Sequence, residues 1–136
     1  MNENNAKSEL EQRTLETLFL NVASWADEHR QHFAPSCRET QAPEGGWWGR
    51  WDDAPGTSHF GIFLEKLRSV VWEELLRKPE CIVETVPKVL QGWARLGLVK
   101  THSGSPSVVI RTGDTTRRGV EFSLLHVERL RQERTT

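Results

Sequence analysis

Three stretches of the chain carry apolar residues at the three-to-four-residue spacing that gathers side chains on one face of a helix. In the first, Leu15, Leu18, Phe19, Val22 and Ala26 predict a helix from about Glu9 to Arg30, opened by Ser8 and Glu11 as a capping box. In the second, Val71, Trp72, Leu75 and Leu76 predict a helix over residues 67–77 with Trp72 in the core, ended near Pro79, because proline disfavours helical backbone in the residue before it. In the third, Val86, Val89, Leu90, Trp93 and Leu96 predict a helix over residues 84–96. Pro87 sits in its first turn, where a missing N–H costs little, and Gly97 stops it in a left-handed conformation. Residues 60–64 fit either the front of one long helix or a short strand feeding the second helix; strand then helix is the reading adopted.

Period-two patterning takes over further along. Leu98 and Val99 leave the third helix as a short extended segment, and a polar break follows at residues 103–106. Residues 107–112 and 119–125, rich in Val, Ile and Phe, predict a hairpin with Gly113 and Asp114 opening its loop. The strand at residues 60–64 is expected to pair with residues 98–100. The fold class that follows is α+β: a winged helix-turn-helix with an additional N-terminal helix. Residues 79–83 are the expected turn, the helix from residue 84 the recognition helix, and the hairpin the wing. Residues 1–8 read as a disordered N-terminus, 9–58 as the N-terminal helix with a tryptophan-containing extension, 59–126 as the winged-helix domain, and 127–136 as a frayed tail. The N-terminal helix needs cover for its apolar face, either from the winged unit or from a second copy in a homodimer.

Charge sharpens this picture. The total over 136 residues is −1, yet residues 87–118 hold Lys88, Arg95, Lys100, Arg111, Arg117 and Arg118 against Asp114 alone. The first 80 residues are acidic, so a near-neutral total conceals a polarised molecule, and a basic helix and hairpin are the electrostatic footprint of a nucleic-acid binder. On a recognition helix and wing the candidate contacts are Thr85, Lys88, Gln91 and Arg95, then Lys100 and His102 on the connection, then Arg111, Arg117 and Arg118. Duplex DNA is favoured over a single strand as the partner. Trp47, Trp48 and Trp51 read as a short strand whose alternate rings cover the core while one lies on the surface; stacking on a base or a partner protein is the other reading.

Residues 60–76 (FGIFLEKLRSVVWEELL), 86–99 (VPKVLQGWARLGLV) and 108–125 (VVIRTGDTTRRGVEFSLL), led by WADEHRQHF and GWWGRWDD, resemble the C-terminal accessory region of phage, plasmid and genomic-island replication proteins. These are helicase-like or primase-helicase ATPases, among them a large family of unassigned function, and the likeness covers residues 20–125. It implies a DNA-binding or template-positioning appendage of a replicative motor, with a helicase or primase as a further partner. The motor itself is missing, since no phosphate-cradling GxxxxGK[ST] loop occurs. The chain then reads as an excised domain or as a small protein that kept the appendage alone. Two alternatives remain open: a winged helix that docks proteins in a replication or transposition complex, and a small transcriptional regulator.

Catalytic chemistry finds little support. His29, His32 and Cys37 lack a fourth ligand at metal-site spacing, and adjacent Asp52 and Asp53 point to opposite sides of an extended segment. Ser36 beside Cys37, and Ser58 beside His59, form no nucleophile arrangement. The expectation is a binding protein without cofactor or metal. Cys37 and Cys81 have no CxxC partner, no stretch approaches 18 apolar residues, and the first twelve residues lack the features of a signal peptide, so the reading is cytoplasmic with no membrane partner.

Overall fold

The computed structural model describes residues 3–35, 41–52, 58–77, 85–113 and 115–135. Helix α1 spans Glu3–Glu28, followed by a single 3-10 turn at Arg30–His32 and strand β1 at Phe33–Ala34. Strands β2 (Gly49–Asp52) and β3 (His59–Phe63) lead directly into helix α2 (Leu64–Arg77), and helix α3 runs over Val86–Arg95. Strands β4 (Val108–Thr112) and β5 (Thr115–Ser123) form a hairpin, and helix α4 (Leu124–Thr135) follows without a loop. The described residues thus make a mixed α+β fold of four α-helices and one curled five-stranded sheet. None of these helices is long and apolar enough to cross a membrane.

Helix α1 begins more than a turn before the capping box at Ser8 and takes in residues 3–8, expected to be disordered. No glycine or proline lies between residues 3 and 28, and once a helix is nucleated each further residue adds a bond at low cost. Helix α3 matches its sequence pattern at both ends. Thr85 is extended and its hydroxyl accepts the Lys88 N–H at 3.4 Å, capping the N-terminus. At the other end Gly97 has φ 72°, the Leu98 N–H donates to the Trp93 carbonyl at 3.0 Å, and the Gly97 N–H donates to the Ala94 carbonyl at 3.1 Å. That bond pair is the Schellman closure that a left-handed residue permits. The turn expected at residues 79–83 lies outside the described residues.

The strands lie in the order β1-β2-β3-β5-β4, with β1 parallel to β2 and the remaining neighbours antiparallel. The expected pairing of β3 with residues 98–100 does not occur. Strand β5 starts at Thr115, four residues before the expected Gly119, and is long enough to lie between them. It pairs with β3 along one side and with β4 along the other, where Val99 also bridges Phe122 and the Lys100 N–H reaches the Glu121 carbonyl at 3.1 Å. Residues 98–100 and β4 are therefore two pieces of one interrupted edge.

The sheet has a helical face and a concave face. On the helical face, rings stack in a column from Trp51 through Phe60 and Phe122 to Phe19, at centroid spacings of 4.5, 4.8 and 5.0 Å. Leu15, Leu18 and Val22 of α1, Leu67 and Val71 of α2, Val89 and Trp93 of α3, and Val127 and Leu130 of α4 complete one core. The two segments read as residues 9–58 and 59–126 share that core, and the apolar face of α1 lies inside the chain. On the concave face Phe63, Val108 and Ile110 pack with Trp47. Ile110 folds over Gly61 and Gly119, and a Cβ on Gly119 would sit 2.5 Å from Ile110 Cδ1 while also striking the Ile62 carbonyl oxygen. Gly119→Ala is expected to cost about 3 kcal/mol, the upper range for overpacking, because a backbone atom cannot step aside. Urea unfolding checks this; an unchanged midpoint would mean the curl does not depend on that contact.

Two expectations about packing are corrected. Trp72 is not in the core: it is 50% exposed, because α2 turns Leu67, Val70, Val71 and Leu75 inward and the Trp72–Leu76 row falls off that face. Of residues 127–136, expected to fray, 127–135 belong to α4, whose Val127 and Leu130 are buried.

Candidate nucleic-acid interface

The parity of the hairpin decides where its cations go. Val109 pairs with Arg118 and Arg111 with Thr116, so these four side chains share the face on which Val120 and Phe122 meet the helices. Ile110 pairs with Arg117, so Arg117 belongs to the concave face, where its guanidinium lies 5.5 Å from the Phe63 ring centroid. Adjacent arginines expected to act together thus point to opposite sides of the sheet. They are strand residues, since β5 begins at Thr115.

On the helical side, α3 presents Thr85, Lys88, Gln91 and Arg95 outward, all exposed, while Val89, Leu90 and Trp93 hold it to the core. Gln91 lines a groove of about 620 Å³ between α2, α3 and the base of the hairpin, whose far wall includes Pro106 and Ser107. Arg118 is pinned at that wall: its Nε donates to Ser107 Oγ at 2.7 Å and its Nη2 to the Ser107 carbonyl at 3.2 Å. Arg68 of α2 lines the same groove, and among the described residues no carboxylate does. Nothing in the sequence pattern singled out Arg68, although its place one turn before Trp72 on α2 was a usable signal. Arg111 extends the basic face toward the turn, with its Nε donating to the Gly113 carbonyl at 3.0 Å.

The remaining candidates lie elsewhere. Arg95 closes the α3 stripe on the side of α1, 3.5 Å from Glu11. Lys100 lies 3.9 Å from Glu121, toward the end of β5 remote from the hairpin turn. Glu121 also meets His59 Nε2 at 3.0 Å, and the same nitrogen lies 3.1 Å from Asp52, itself paired with Arg50 at 2.7 Å. Asp52 is thus held between Arg50 and His59 on the concave face. His102 is fixed in a tight turn that exchanges backbone hydrogen bonds with Ser105 across Ser103 and Gly104, both at positive φ.

The tryptophan cluster divides three ways. Trp51 is in the core, and Trp47 lines a concave cleft of about 740 Å³ with Phe63 and Arg117. Trp48 is half-buried, stacked on His32 at 3.8 Å and on Trp25 at 5.4 Å, with the Lys66 ammonium 4.0 Å from its ring centroid. His29 and His32, set aside as metal ligands on spacing, are engaged with aromatic rings, and Cys37 lies outside the described residues. Among the described residues no group of three His, Cys, Asp or Glu is placed to hold a metal ion. No protein-family model matches the sequence, and no curated protein or solved structure shows significant similarity to it.

Proposed function

We propose that the protein is a duplex-DNA-binding winged-helix module, acting as an accessory of a mobile-element replication system alongside a helicase or primase. Residues 59–126 supply the parts: α2 and α3 as the helix pair, β3, β5 and β4 side by side behind them, and β4–β5 as the wing. The observation that carries the reading is the shared side of the molecule. The polar stripe of α3 and the Arg111 and Arg118 face of the hairpin flank one groove, joined by Arg68. A helix laid in a major groove with a basic hairpin on the adjacent backbone needs that disposition. Lys88, Arg68, Arg111 and Arg118 are the phosphate contacts, and Gln91 is the side chain set to meet a base edge. Arg117, Lys100 and His102 fall outside the interface.

Anisotropy of a labelled duplex, titrated at several salt concentrations, tests this. About four neutralised phosphates give a log–log salt slope of roughly −4. Lys88→Ala/Arg111→Ala/Arg118→Ala is expected to weaken binding about 100-fold, whereas Arg117→Ala, on the other face, stays within about twofold. Absence of duplex binding at low salt, or equal losses for Arg117→Ala and Arg118→Ala, would refute the interface.

A further inference from the structure

Alongside its polar rim, the groove between α2, α3 and the hairpin has an apolar interior that phosphate recognition does not use. Leu64, Leu90 and Val120 form its floor and Trp72 and Pro106 its walls. Trp72 is half exposed and Leu76, one turn further along α2, is 63% exposed, so the apolar row continues out of the groove along the helix. Apolar rings and branched chains left facing water beside a concave surface mark an interaction site. We infer that this groove docks an acidic amphipathic helix of a partner protein, with Trp72 as its central contact.

Charge and backbone chemistry select that occupant. The guanidiniums of Arg68 and Arg118 stand at the groove, no carboxylate lines it among the described residues, and a helix with an apolar row flanked by Glu and Asp complements both features. An added β-strand is disfavoured. The neighbouring edge is occupied by side chains: Arg118 takes the Ser107 carbonyl at 3.2 Å and Arg50 takes the Arg111 carbonyl at 3.1 Å. A partner must therefore bind through side chains, which is how an amphipathic helix seats its i, i+4 and i+7 anchors in a groove. The backbone of a duplex, phosphate and sugar, rewards contact with Trp72 and Leu76 less than an apolar helix row does. The inference stands whether or not the protein binds DNA.

The test uses the full chain and a fluorescein-labelled synthetic helix of about 16 residues, roughly four turns, with Leu at the three anchor positions and Glu on both flanks. The expected result is saturable binding that Trp72→Ala weakens by about 30-fold or more, as loss of a central aromatic anchor does, and Arg68→Glu by about 10-fold. The same peptide with Lys in place of Glu is expected not to bind. Trp72 and Leu76 are exposed, so their variants keep the fold, which far-UV circular dichroism confirms before titration. The inference is overturned by no binding of the acidic peptide to wild type, by binding that survives Trp72→Ala, or by a concentration-dependent dimer in light scattering that Trp72→Ala/Leu76→Ser abolishes, which makes a second copy the occupant. A loss of duplex affinity in Trp72→Ala matching the loss of peptide affinity also overturns it and assigns the groove to DNA. Duplex affinity that falls in Lys88→Ala/Arg111→Ala but is unchanged in Trp72→Ala, while peptide affinity falls in Trp72→Ala, supports an apolar interior that serves the peptide and not the duplex.

Discussion

Trp93→Ala is expected to remove about 4 kcal/mol of stability, within the range measured for truncating fully buried aromatic side chains. Trp93 has no solvent exposure and joins three elements at once. Its ring meets Phe19 of α1 edge-on at 5.9 Å and Phe122 of β5 edge-on at 5.4 Å. Its indole N–H donates to the Leu15 carbonyl at 2.8 Å, a buried bond across 78 positions of sequence. Alanine leaves a cavity lined by rings that cannot collapse far, since Phe19, Phe122, Phe60 and Trp51 are already stacked in a column. Trp93→Phe keeps most of the apolar contact and loses the hydrogen bond, so its cost is about 1–2 kcal/mol. Urea unfolding followed by far-UV circular dichroism separates the two, because removing a tryptophan disturbs the fluorescence signal but not the helical one. If Trp93→Ala shifts the midpoint no more than Trp93→Phe, the ring is not sealed between α1, α3 and β5. A domain of this size stands only about 5–15 kcal/mol above unfolding, so the alanine variant should sit near the threshold at which it no longer folds.

The sequence pattern reveals elements more reliably than it reveals which of their faces is buried. Helix α3 was legible because its apolar residues fit a single stripe and a glycine stands at its C-terminal end. Helix α2 carries more apolar residues than one stripe holds, and only the neighbours decide between the Leu67–Val71–Leu75 row and the Trp72–Leu76 row. The groove was missed for the same reason: it exists only once α2, α3 and the hairpin are assembled. Hairpin parity was within reach. Val120 and Phe122 alternate with Glu121, and carrying that alternation back places Arg118 with the core face and Arg117 against it. What hid it was the assumption that the loop extended to Gly119, which would have broken the alternation. One row at three-residue spacing, Leu124, Val127 and Leu130, was too sparse to identify α4 as amphipathic, although it suffices when α1 lies alongside.

Deleting residues 127–136 is therefore expected to destabilise the protein by about 4 kcal/mol, where a frayed tail would have left it unchanged. Val127 and Leu130 are almost fully buried against the core, and each such side chain contributes about 1.5–3 kcal/mol on burial. Arg131 Nη2 donates to Ser24 Oγ at 3.1 Å, and Arg134 donates to Thr17 Oγ1 at 2.8 Å and to the Arg13 carbonyl at 3.1 Å, lacing α4 along α1. Those bonds are exposed, so Arg131→Ala/Arg134→Ala together should cost less than about 1 kcal/mol. The ordering separates buried apolar contact from exposed hydrogen bonding. Val127→Ala/Leu130→Ala should approach the deletion in its effect, and the arginine pair should not. At roughly 3–5 °C per kcal/mol for a chain of this length, the deletion lowers the melting temperature by about 15 °C. A deletion variant that melts within a few degrees of the full chain would show that α1 does not depend on α4 for cover. Amide exchange gives an independent reading: protection through α4 comparable to that of α1 means that the two helices open together.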